Sequence, residues 1–168
     1  MPPVEIGQVT GITDFLQPDH FSFLIPVLPG GGDSEAFHIR NLTAILPGRA
    51  NQVVQGEMHR FKINRAGKPI YQHTFTATYM DATDKKILDG IQAWQNMVNN
   101  PETGLPNPSD MYMTTGLAML YDMNNRVVER REFHNLWISN FQDLSLDGAS
   151  ASMARFSIQF TYDYWLRR

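Results

Sequence analysis

Five histidines, His20, His38, His59, His73 and His134, are the first residues of this 168-residue chain that could do chemistry. Two imidazoles share a metal most readily at i, i+2 on a strand or i, i+4 on a helix, and no pair has either spacing. The chain has no cysteine, so no thiolate can join them and disulfide chemistry is closed to it. His73 falls among alternating aromatic residues, which suits a packing residue with a satisfied ring. Gly30-Gly31-Gly32-Asp33 has the glycine content of a phosphate loop. Neither Lys-Ser nor Lys-Thr follows it, and the pattern gives no helix behind it, so it reads as a flexible turn. There is no Gly-x-Ser-x-Gly elbow, and the carboxylates are scattered rather than paired for acid–base work. No catalytic residue, metal ligand or cofactor is assigned. The chain is expected not to be an enzyme.

Charge narrows the partners. Seventeen acidic residues against fourteen Lys and Arg leave a net charge of −3. A protein that grips nucleic acid needs a basic excess to replace the phosphate counterions. Arg126, Arg130 and Arg131 are interrupted by Glu129 and Glu132, and Lys62 and Arg65 stand in another short cluster. Both read as solvated or interfacial strand faces. No apolar run approaches the ~20 residues of a membrane helix. The start, Met1-Pro2-Pro3-Val4-Glu5-Ile6, lacks the basic and apolar pattern of a signal peptide, so the sequon Asn41-Leu42-Thr43 is read as a chance match.

The elements that must position these residues are mostly strands. From Ala154 to Tyr164, Phe156, Ile158, Phe160, Tyr162 and Tyr164 alternate with Arg155, Ser157, Gln159, Thr161 and Asp163. From Ile70 to Met80, Tyr71, His73, Phe75, Ala77 and Tyr79 oppose a polar ladder of Gln72, Thr74, Thr76 and Thr78. Leu117–Met123 and Arg126–Phe133 flank Asn124-Asn125, a pair that tolerates the positive φ of a two-residue turn. Further strands are expected over Phe21–Leu28, Ala36–Thr43, Val53–Ile63 and Leu136–Phe141. Turns are expected at Pro29–Gly32, Pro47-Gly48 and Ala66–Pro69. One helix is expected over about 82–99. Ile87, Leu88, Ile91, Trp94 and Val98 form its apolar stripe, Asp81 or Thr83 caps it, and Asn99-Asn100-Pro101 stops it. A small antiparallel β-barrel or sandwich with one flanking α-helix follows, in one domain over 1–168.

Open strand edges template aggregation, and few of these strands carry protective proline or clustered lysine. The sheet must close on itself or lend its edges to neighbours. Residue patterns alone do not choose between closure and assembly, and they stop at a soluble, β-rich, non-catalytic domain.

Three stretches take the reading further. Asn41–Gly48 is similar to an Ala-x-x-Leu-Pro turn, and Gly56–Lys68 to a basic segment entering an Ala-Gly turn. The run through Leu136-Trp137-Ile138-Ser139-Asn140 and Leu144-Ser145-Leu146-Asp147 to Tyr162-Asp163-Tyr164-Trp165 is similar to an aromatic closing strand. Together, from Ala36 to Trp165, they resemble the tail tube proteins of contractile-tailed phages, related to type VI secretion tube proteins. The resemblance implies hexameric rings stacked into a tube, with tail sheath protein outside. Tape-measure protein, and transiently DNA, would lie inside, with a baseplate tube initiator at one end. The protein would be made in the host cytoplasm and end in the virion. Rival readings are the tube protein of a type VI-like or other contractile injection system, and a monomeric ligand-binding β-barrel, which would run as a monomer.

Two sets of residues are expected to serve that role. Gln72, Thr74, Thr76 and Thr78, uncharged and opposite an aromatic face, are expected to line the channel. Val53, Val54, Met58, Arg60, Phe61, Lys62, Ile63 and Arg65 are expected to form an arm, about 50–68, that lies across a neighbouring subunit.

Overall fold

The computed structural model describes residues 18–142 and 154–168. The stretch Leu144–Asp147 and the N-terminal Met1–Ile6 lie outside the described residues.

The strands are β1 (Phe21–Leu24), β2 (Asn41–Ala44), β3 (Arg49–Met58), β4 (Phe61–Tyr71), β5 (Thr74–Met80), β6 (Thr114–Tyr121), β7 (Val127–Phe141), β8 (Arg155–Thr161) and β9 (Tyr164–Arg167). The helices are α1 (Ser34–Ile39), α2 (Lys86–Val98) and α3 (Ser109–Tyr112). The fold is mainly β. An antiparallel sheet runs β1-β6-β7-β8-β5-β2, with β9 paired to β7, and β3 and β4 form a separate two-stranded hairpin.

The sheet buries an aromatic core because alternating strands give every second side chain to one face. Phe75, Ala77 and Tyr79 from β5 and Phe156, Ile158 and Phe160 from β8 are all buried. Phe75 meets Phe133 at 4.9 Å and stacks on Phe160 at 5.4 Å between ring centroids. Helix α2 covers this core with Ile87, Ile91, Trp94 and Val98, the stripe visible in the sequence. Trp94 is fully buried, and its indole Nε1 donates to the Tyr112 carbonyl at 2.8 Å. Each such aromatic or branched side chain contributes about 1.5–3 kcal/mol of burial.

Several expectations need correction. The segment expected as a strand over Ala36–Thr43 divides. Ser34–Ile39 is helical, with Asp33 accepting the Ala36 amide as its N-cap, and the strand begins only at Asn41. A helix does therefore open behind the glycine turn, although it is only six residues long. The single strand expected over Val53–Ile63 is two strands meeting at a turn on His59 and Arg60, both at positive φ. Ala66–Pro69 lies inside β4, not in a turn. The strand expected from Ile70 is broken at Gln72 and His73, where His73 has φ 59°. His73 is exposed, with its Nδ1 3.1 Å from the Tyr162 carbonyl oxygen, so it is satisfied but does not pack in the core. Tyr164 does not extend the buried face of β8. It opens β9 and is 40% exposed.

Helix α2 starts at Lys86, after Lys85 in the left-handed region, so neither Asp81 nor Thr83 is its N-cap residue. Asp81 still serves the helix from outside, its Oδ2 accepting the Leu88 amide at 3.0 Å. The turn between β6 and β7 is longer than two residues. Asp122 Oδ1 accepts the amides of both Asn124 and Arg126, and only Asn125 of the pair has positive φ. The segments Arg126–Phe133 and Leu136–Phe141 belong to one fifteen-residue strand, β7. Asn135, at φ 55°, divides it: β9 pairs before that residue, β8 pairs from Trp137 onward, and β6 pairs before it and once more at Leu136, opposite Thr114.

Candidate channel face and protruding hairpin

Thr74, Thr76 and Thr78 stand half-buried on β5, opposite the core face, while Gln72 is exposed at the junction before β5. Strand register places uncharged neighbours beside the threonines. Thr74 pairs with Thr161, Thr76 with Gln159, and Thr78 with Ser157 on β8. On the far side of β8, Trp137 pairs with Thr161 and Asn140 with Gln159. On the far side of β5, Thr43 pairs with Thr78. Paired residues share a face of the sheet. Four strands therefore present one surface of hydroxyls, amides and a single indole. Its charged member at these ladder positions is Arg155, opposite Met80 at the end. The neighbours on β8, β7 and β2 were not singled out in the sequence. The alternation of β8 carries the signal, since Ser157, Gln159 and Thr161 form a polar face that register alone joins to that of β5.

The second expected set lies on the β3–β4 hairpin, which pairs with no other strand among the described residues. Val53, Val54, Met58, Arg60, Phe61, Lys62 and Arg65 are exposed, and Ile63 is half-buried. Val54 pairs with Arg65, Gly56 with Ile63 and Met58 with Phe61, so these six share one face. Val53 pairs with Ala66 and Glu57 with Lys62 on the other. The first face is apolar but for Arg65, and Phe61 is 74% exposed. An isolated two-stranded hairpin is marginal in water, and a contiguous exposed apolar face marks a contact surface.

The hairpin carries Arg49, Arg60, Lys62, Arg65 and Lys68 against Glu57, a net +4. With −3 for the whole chain, the remainder carries −7. Ion pairs among the described residues occur elsewhere, such as Arg40 with Asp81 and Asp84, and Lys86 with Asp33. Lys86 holds the Asp33 carboxyl below its usual range, and Arg40 brings Asp84 down to about 2.

Among the described residues, no group of three His, Asp or Glu is placed to hold a metal, and no helix is long and apolar enough to cross a membrane. An apolar groove of about 260 Å³ lies between β1 and β2, lined by Phe21, Ala44, Leu46 and Leu120. Ser22 is the one polar residue among its described lining, and its hydroxyl is bonded to Tyr121, so the several convergent polar groups of a small-molecule site are not found among the described residues.

Comparison with solved structures settles the fold. The chain superposes on a chain of the PVC extracellular contractile injection system, from its sheath–tube complex in the extended state. The TM-score is 0.66 at 11% identity, covering 99% of both chains. It also superposes on a chain of the anti-feeding prophage tube-terminating cap, with TM-score 0.69 at 12% identity over 94% of this chain and 93% of that one. A third match is the PVC sheath/tube terminator, with TM-score 0.68 at 12% identity, covering 94% and 99%. The fold is that of contractile-injection tube components. The resemblance read from the sequence holds at this level. No family model and no curated protein sequence matches the chain.

Proposed function

We propose that this chain is the structural subunit of the inner tube of a contractile machine, six copies closing a ring and rings stacking into a conduit. The observation that carries this reading is agreement in fold with tube components over nearly the full length of both chains. The role is structural, with no catalytic step.

The two surfaces support the same reading. A conduit wall should be wettable yet hold no polyanion, which fits the uncharged face of Gln72, Thr74, Thr76 and Thr78 toward the channel. The hairpin is the arm. Laid across a second copy, it buries Val54, Met58, Phe61 and Ile63 while Arg60, Lys62 and Arg65 meet carboxylates of a body carrying −7. Sheath protein surrounds the tube and a baseplate initiator nucleates it. In a phage tail the channel houses the tape-measure protein and then passes DNA, and the subunit resides in the virion. A second reading, an extracellular injection system without a genome to deliver, is favoured by the kind of assembly that the matched structures come from.

Electron microscopy of the purified chain, alone and with a baseplate initiator, tests the assembly. Six-fold rings and tubes are expected, and monomers at high concentration under both conditions would overturn it. Particles containing the chain then separate the two readings, since a DNA-filled head marks a phage and its absence an injection system.

A further inference from the structure

The hairpin joins the sheet through two legs, and both are fastened by side chains from outside it. On the incoming leg, Arg131 of β7 donates from Nη1 to the carbonyl oxygen of buried Pro47 at 2.9 Å. The same guanidinium lies 4.6 Å from the Trp165 ring centroid, the geometry of a cation–π contact. On the outgoing leg, Tyr71 meets Trp165 edge-to-face at 6.2 Å. Just beyond, Tyr162 and His73 are tied by a backbone bond, Tyr162 amide to His73 carbonyl, at 2.9 Å. Glu129 holds Arg131 from behind, accepting from its Nε at 2.5 Å. Strand β9 brings Trp165 to this place by pairing Phe133 with Trp165 and Arg131 with Arg167.

We propose that Arg131 and Trp165 are positioning residues that clasp the root of the hairpin and fix its direction before it meets another subunit. The inference rests on the reading of the hairpin as an assembly arm. Among the described residues the hairpin pairs with no other strand, so its direction must be set where it joins the sheet. Arginine suits the post because its planar fork can donate to a carbonyl while its face lies on an indole, which lysine cannot do. A preorganised arm loses less freedom on docking, and that saving appears as faster, tighter assembly.

The chain has no cysteine, so a spin label can be placed at will. Lys62→Cys near the tip and Asn96→Cys on the exposed side of α2 report the arm's direction by pulsed dipolar spectroscopy on unassembled full-length subunits. Arg131→Met and Trp165→Leu are introduced separately, each checked for a cooperative thermal melt, so that one unfolded variant does not end the test. A distance distribution at least twofold broader than the parent's is expected in a folded variant. An unchanged width in a folded variant overturns the clasp. Tube formation is then followed by light scattering in the same variants without the labels. A broadened distribution with tubes still forming at the parental rate upholds the clasp and instead overturns the arm's part in stacking.

Discussion

The Arg40 guanidinium holds Asp84 through two parallel hydrogen bonds, Nη1 to Oδ1 at 2.7 Å and Nη2 to Oδ2 at 2.6 Å. Arg40 Nη1 also reaches Asp81, whose other oxygen accepts the Leu88 amide of α2, so one cation ties α1 to the start of the major helix. Hydrogen bonding to Arg40 is the chief cause of Asp84's depressed pKa, from 3.8 to about 2. A depressed carboxylate contributes stability that is complete above its unfolded pKa and is lost as pH falls through the folded one. The contribution of Asp84 is therefore present above pH 4 and fades toward pH 2. In thermal melts from pH 6 to pH 2, Asp84→Asn should lower the melting temperature at pH 6 and converge on the parent near pH 2. A constant gap across that range would refute the assignment.

Gly90 sits inside α2 against Phe37, and a Cβ there would lie 2.8 Å from Phe37 Cε2. Alanine ordinarily gains about 1 kcal/mol over glycine within a helix. Phe37 is buried on α1, so its ring must shift within the core to make room, and overpacking costs about 1–3 kcal/mol. The clash should win. Denaturant unfolding of Gly90→Ala is expected to show a net loss of about 0–2 kcal/mol, and a gain in stability would show that the α1–α2 contact is loose.

Phe61 tests the arm. At 74% exposure it contributes little to the isolated subunit, and Phe61→Ala should leave monomer stability within about 0.5 kcal/mol of the parent. If the ring anchors a second copy, its loss costs about 2–4 kcal/mol per contact, enough to abolish tubes at ordinary concentrations. Calorimetry and sedimentation read the two effects separately. Lowered monomer stability with assembly spared would place Phe61 in its own subunit's core.

Thr74 and Thr76 test the channel. Both are half-buried on the polar face, so Thr74→Lys with Thr76→Lys should fold and assemble. Fixed positive charge on the wall would then retain DNA and slow its passage, and the effect should shrink as salt rises. Retention measured at low and high salt in assembled tubes decides it. Equal retention in parent and variant at low salt, or a reconstruction placing both residues on the outer wall, would reject the assignment.

Legibility followed the strength of local chemistry. The β8 alternation and the α2 stripe were readable because burial imposes a strict period on each, and Phe156, Ile158, Phe160, Ile87, Ile91 and Trp94 are buried as expected. Helix α1 was misread because Ala36, His38 and Arg40 alternate with Phe37 and Ile39, and six residues are too few to separate the two periods. The arm's turn was misplaced for another reason. Ala66-Gly67 looks like a turn, yet Gly67 sits in β4 beside the register shift at Asn51–Val53, where a Cβ would lie 3.0 Å from Val54 Cγ2. The chain reverses instead at His59-Arg60, which carries no turn signature. The channel face was half legible, because the β5 ladder lies in one segment while its partners on β2, β7 and β8 are joined to it only by pairing register.

That reversal bears on the order in which the arm forms. A two-residue hairpin turn with positive φ at both positions favours Asn-Gly, whereas His59 and Arg60 adopt φ 49° and 69° at a cost of roughly 1–2 kcal/mol each. Hairpins with good turns can zip from the turn toward the ends. This one has a poor nucleus at its tip and a well-fastened base at Pro47 and Tyr71, so closure is expected to propagate outward from the base. Amide hydrogen exchange in the unassembled subunit should show protection decaying along β3 from Ala50 toward Met58. His59→Asn with Arg60→Gly should flatten that gradient, adding a second point of initiation at the far end while the base stays fastened.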